Sequence, residues 1–166
     1  MDVIRQARES SARGDSLWPR PLILALEGHR RGLSSEWVIR CARVLLPRAV
    51  TDEREALAHD IESIAAYRSR HASREEIQRR AIEIWYNTPR RDAARTAVSN
   101  LYSAMACPFE EGDIRHSLSM CVPILSFFRE SERREELLEM VLADFRDFAE
   151  ASGSCGLAIA ISAGPR

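Results

Sequence analysis

The chain contains no lysine; all 24 of its basic residues are arginine. That absence removes two large chemical classes. A P-loop needs the lysine of GxxxxGK[ST] over the terminal phosphates, and Schiff-base chemistry needs a side-chain amine that can lose its proton. Arginine stays charged and fills neither role. Long apolar runs are missing too. The longest, Leu22 to Leu26, is far too short to span a bilayer, and the amino terminus MDVIRQARES has charge where a secretory leader would be apolar. A soluble, cytoplasmic protein with no membrane partner is expected. The four cysteines, Cys41, Cys107, Cys121 and Cys155, never fall at C-x-x-C spacing and read as free thiols. There is no GxSxG elbow, the SGSCG sequence around Cys155 has no base placed beside it, and no internal repeat is sustained.

What is present fits an ordinary globular chain. Its 166 residues suffice for one domain with a sizeable core, and 45% apolar with 30% charged residues exclude extended disorder. Net charge is −1 but unevenly laid out, basic over 1–50 and 68–109 and acidic over 51–67 and 110–150. Blocks of alternating sign favour complementary helix surfaces or a partner of matching sign over a uniformly basic surface.

Helical periodicity runs from Ser34 to about Glu150. Trp37, Val38, Cys41, Val44 and Leu45 form one stripe, with Ser34 or Ser35 as cap and Pro47 as stop. Thr51 is placed to cap a second helix, which aligns Leu57, Ile61, Ile64 and Ala65 behind a first turn of acids. Ser73 and Glu76 form a capping box ahead of Ile77, Ala81, Ile84 and Trp85. Thr88 and Pro89 suit the start of the next helix, which carries Ala94, Val98, Leu101 and Met105. Trp85 and Tyr102 then have an ordinary place in a core shared by two antiparallel helices. A fifth stripe is Ile114, Leu118, Cys121, Leu125 and Phe128, interrupted by Pro123, where a kink is expected. The last helix, with Ser131 as candidate cap, aligns Leu137 or Leu138, Val141, Phe145 and Phe148. The first 30 residues give a weak helix around Val3, Ile4 and Ala7, then the Leu22–Leu26 run, which suits a strand or a buried helix. Residues 151–166 alternate Leu157, Ile159 and Ile161 with alanine, as a strand does, and read as a flexible or docking tail.

Two sets of residues carry possible chemistry. Three of the four arginine doublets have a glutamate one turn upstream: Glu27 before Arg30 and Arg31, Glu75 and Glu76 before Arg79 and Arg80, and Glu130 before Arg133 and Arg134. Arg90 and Arg91 have none and fall in a first helical turn, where the macrodipole disfavours cations, so they ask for an outside partner. The second set is His59-Asp60, with His29 upstream and Asp113 downstream. This order is similar to the H…HD…D ligand set of HD-type metal-dependent phosphohydrolases, and the resemblance implies a divalent metal held by His29, His59, Asp60 and Asp113 that activates water on a phosphoester. Helical geometry competes with it, because His59 falls roughly 160° from the Leu57–Ile61 stripe and should face water. A bundle-type carboxylate site would need repeated Glu-x-x-His; Asp113-x-x-His116 and Glu55-x-x-x-His59 do not supply it.

The sequence therefore predicts a single all-α domain over 1–166, an irregular bundle of about six or seven helices with a short strand-like tail. With the inward stripes apolar and the charges outward, it reads as a non-catalytic module that binds another protein or itself, without catalytic residues or a cofactor. The expected contact residues are Arg90, Arg91, Glu135, Glu136, Glu139, Asp144 and Asp147. An HD-type phosphohydrolase and a nucleic-acid binder are the alternatives, the latter disfavoured by a net charge near zero.

Overall fold

A computed structural model of the protein describes residues 2–70, 74–86, 92–106, 114–129 and 131–153, apart from the side chains of 68–70, 74, 81, 84, 85 and 114. These residues form eight α-helices and no strand. The helices are α1 (Val3–Ala12), α2 (Arg20–His29), α3 (Leu33–Leu45), α4 (Arg54–Arg70), α5 (Arg74–Tyr86), α6 (Ala93–Ala106), α7 (Ile114–Phe128) and α8 (Arg134–Ala151). The architecture is the all-α irregular bundle expected, with one more helix because the amino-terminal segment supplies two. The ambiguous Leu22–Leu26 run is helical, Pro19 and Pro21 lie at its start where a missing amide costs nothing, and Leu22, Ile23 and Leu26 are buried.

α3 is the central element. It packs against α2, α4, α6, α7 and α8, and most of its length is buried. The most extensive packing is of α6 on α7 and on α5. The buried apolar residues make one contiguous cluster to which all eight helices contribute. Trp37 of α3 meets Phe145 of α8 edge-on, with centroids 5.2 Å apart, and Tyr102 of α6 is fully buried. Edge-to-face geometry suits the ring quadrupoles and adds about 1 kcal/mol beyond burial.

Several helix starts differ from those the sequence suggests. Ser34 and Ser35 lie inside α3, whose N-cap is Gly32 in the left-handed region at φ 81°. The capping oxygens come from elsewhere: the Glu27 carboxylate of α2 accepts the amide of Gly32 at 3.0 Å and that of Ser34 at 3.2 Å, and it also takes the Ser34 hydroxyl. α6 begins at Ala93. Asp92 caps it, Oδ1 accepting the amides of Ala94 and Arg95 at 2.8 and 3.1 Å, while Oδ2 accepts the Thr51 hydroxyl at 2.6 Å. Thr51 in turn accepts the Glu53 amide at 3.2 Å just before α4. One carboxylate thus ties the entry of α4 to the start of α6. Ser73, Thr88 and Pro89 lie outside the described residues, as does the 154–166 part of the alternating tail.

α7 runs through Pro123 as one helix. Its core face is rotated from the expected stripe: Met120, Cys121, Ile124, Phe127 and Phe128 are buried, as are His116 and Ser117, while Leu118 and Leu125 are only partly covered. Neighbours on both sides, α3 with α2 and α6, draw in a wider arc than a heptad seam would.

Candidate functional site

The interior holds more polar chemistry than the apolar stripes imply. Asp60 of α4 is buried, and its Oδ1 accepts Arg80 Nη2 of α5 at 2.9 Å and the Tyr102 hydroxyl of α6 at 3.2 Å. Arg80 also pairs with Glu83 at 2.9 Å. Burial, with the Asp60 charge beside it, raises the Tyr102 phenol, and the two acids raise Arg80. A carboxylate oxygen shared by a guanidinium and a phenol joins three helices.

This placement bears on the candidate metal set. His59 is exposed, on the far side of α4 from the core, and His29 is exposed at the end of α2. Asp60 points inward to Arg80, and Asp113 lies outside the described residues. Among the described residues, no group of three or more His, Cys, Asp or Glu is arranged to hold a metal ion.

A second polar cluster joins α2, α3 and α7. Besides capping α3, the Glu27 carboxylate has His116 Nε2 3.8 Å away, and both side chains are almost fully covered. Such a covered cluster positions helices; it offers no route for a substrate. A third lies between α3 and α8. Arg40 Nε donates to Asp144 Oδ1 at 2.6 Å while its guanidinium sits over the Phe148 ring, 5.9 Å from the centroid.

Asp144 therefore corrects the expected acidic contact face. It is buried, because it follows Val141 by three positions and adjoins Phe145, which turns it toward α3. Of the other acids on α8, Glu139 makes a two-pronged pair with Arg8 of α1 at 2.9 and 2.8 Å, and Arg8 holds its carboxyl below the ordinary value. Glu136 pairs with Arg133 one turn back. Glu135 and Asp147 are exposed. Arg90 and Arg91 lie outside the described residues. The doublet pairings also differ from expectation, Arg30 reaching forward to Glu36 at 3.0 Å and Arg133 to Glu136.

Buried thiols add no reactivity. Burial pushes the Cys121 thiol up to about 12, and Cys41, fully covered beside Asp144, is raised well above its ordinary value. A small, mainly apolar cavity of about 90 Å³ lies between Ser35, Ile64, Tyr67, Ile77, Tyr102 and Met105, too little for a substrate.

The outer surface is more telling. On α5, Ile82 is 56% exposed and Tyr86 80% exposed, one turn apart on the side away from buried Ile77. Arg79 and Glu83 flank them on that outer face, both exposed. Both apolar residues fall off the Ile77–Trp85 stripe in the sequence, which is the signal that identifies them. Two broader grooves occur elsewhere, one of about 610 Å³ around Val50, Asp92, Phe127 and Leu137, another of about 450 Å³ around Trp18, Asn100, Leu125 and Phe128. Compared with known family models, curated proteins and solved structures, the chain matches none. Function must be argued from these surfaces alone.

Proposed function

We propose that the protein is a non-catalytic helical module that binds another protein, and that the outer face of α5 carries part of the contact. The observation supporting this most is the pair Ile82 and Tyr86, large apolar side chains left in water at helical spacing on a helix whose other side rests on α6. An exposed i, i+4 apolar pair with a tyrosine is the usual anchor of a helix-mediated contact, and tyrosine is enriched where binding energy concentrates. The buried carboxylates support the same reading, since Asp60 holds Arg80, Glu27 caps α3, and Asp144 holds Arg40 through Oδ1. No helix among the described residues is long and apolar enough to cross a membrane.

The test is site-specific photo-cross-linking in the native host. A photoreactive residue at Ile82 or Tyr86 should give the same adduct from either position, and Ala58, exposed on α4, should give none. Ile82→Glu should abolish the adduct formed from position 86. Absence of an adduct at both positions, or equal labelling from all three, would refute the assignment.

A further inference from the structure

We propose that the groove between the α1–α2 turn and helices α6 and α7 is a second docking surface, and that it takes an acidic protein segment bearing an apolar side chain. The inference rests on the reading of the protein as a partner-binding module, but not on α5. Trp18 and Phe128, both almost fully covered, meet edge-on with centroids 5.3 Å apart and back the groove from beneath. Along α7, Val122, Leu125 and Arg129 fall at i, i+3 and i+7 and so share one face, with Val122 40% exposed and Leu125 partly covered. Arg134, the first residue of α8, completes the rim beside Arg129.

The charge on that rim selects the partner. Arg8, Arg40, Arg43, Arg80, Arg95 and Arg133 each have a carboxylate within ion-pair distance. Among the described residues, no acid pairs with Arg129 or Arg134, and both are exposed. Among the described residues the one acid lining the groove, Asp15, has Oδ1 accepting the Leu17 amide at 2.8 Å in the turn. The groove thus offers apolar surface from Val122 and Leu125 closed at one end by two exposed guanidiniums with which no described acid pairs, a group that forms two-pronged hydrogen bonds with carboxylates. A nucleic acid fits less well. Among the described residues only two arginines line it, Trp18 is 2% exposed and offers no open ring to stack a base, and net charge is −1.

Titration of the isotope-labelled full chain, followed by amide and indole resonances, tests this. The probe is a synthetic hexapeptide with leucine and phenylalanine at its centre and two glutamates on each side; its lysine counterpart and an oligothymidine are the controls. The glutamate peptide should shift the Trp18 indole, the Asn100 side-chain amide and the Val122–Arg129 amides together. Arg129→Glu with Arg134→Glu should weaken binding at least about tenfold and leave the rest of the spectrum in place. Val122→Glu, which puts a charge on that apolar surface, should do the same from the other end of the groove. Absence of shifts, equal binding of the lysine peptide, unaltered binding by the variants, or shifts with the oligothymidine alone would overturn the assignment. Shifts confined to α5 would overturn it as well while upholding partner binding through that helix.

Discussion

Asp60 and His59 are neighbours in sequence with opposite fates. One is a buried carboxylate holding Arg80 and Tyr102; the other faces water. Replacing Asp60 by alanine removes the acceptor for two groups and should cost about 2 to 3 kcal/mol of unfolding free energy, measured by urea denaturation. His59→Ala should change stability by less than about 0.5 kcal/mol. Comparable large losses of a hydrolytic activity in both variants would instead revive the HD reading. Residue-level fates of this kind were only half legible. Helical phase places His59 outside and turns Asp60, three positions after Leu57, toward the core, but only the fold shows that Arg80 and Tyr102, 20 and 42 positions away, supply its partners. The thiols give a second check: Cys41 and Cys121, raised by burial, should resist alkylation in the folded chain and react fully in denaturant, as read by peptide mass spectrometry.

At the scale of helices, the apolar stripes of α3, α4, α6 and α8 were legible because a 3.6-residue period survives packing, and Trp37, Leu57, Ile61, Val98, Leu101, Val141 and Phe145 are all buried. Starts were harder. Serine and threonine near a helix are plausible caps, yet α3 and α6 are capped by Glu27 and Asp92, and only the tertiary fold brings Glu27 over the α3 terminus. Glu27→Ala should therefore destabilise the protein by about 3 kcal/mol, since two amides and a hydroxyl lose a buried acceptor. Glu27→Gln keeps an acceptor and should cost clearly less. Gly32→Ala should cost about 1 to 2 kcal/mol, because alanine is strained at φ 81°. Chemical denaturation ranks the three; if Glu27→Ala were neutral, the cap would not hold α3.

Across the whole molecule, arginine–carboxylate pairs link distant helices, Arg8 of α1 to Glu139 of α8 and Arg43 of α3 to Glu62 of α4. Each arginine holds its carboxyl below the ordinary glutamate value. A depressed folded-state value contributes stability that is complete above the unfolded value and is lost as pH falls through the folded one. Stability should therefore decline on acidification below the normal glutamate range. Glu139→Gln should flatten that limb modestly, and salt should shrink the difference because both pairs are exposed. The alternating charge blocks of the sequence anticipated such pairing, though not which acids would be consumed by it. The proposed partner surfaces were the least legible feature: Ile82 and Tyr86 fall off the apolar stripe of α5, but only the fold shows how far they are exposed, and only the fold shows that no described acid pairs with Arg129 or Arg134.

If Ile82 and Tyr86 are kept apolar for a partner, they contribute nothing to the fold. Thermal unfolding of the isolated chain carrying Ile82→Lys and Tyr86→Lys tests it most directly. A midpoint within about 2 °C of the parent, or higher, is expected, as for surface positions. A fall of more than about 6 °C, which corresponds to roughly 2 kcal/mol or more at this chain length, would show that these side chains are packed in the folded protein and contradict it.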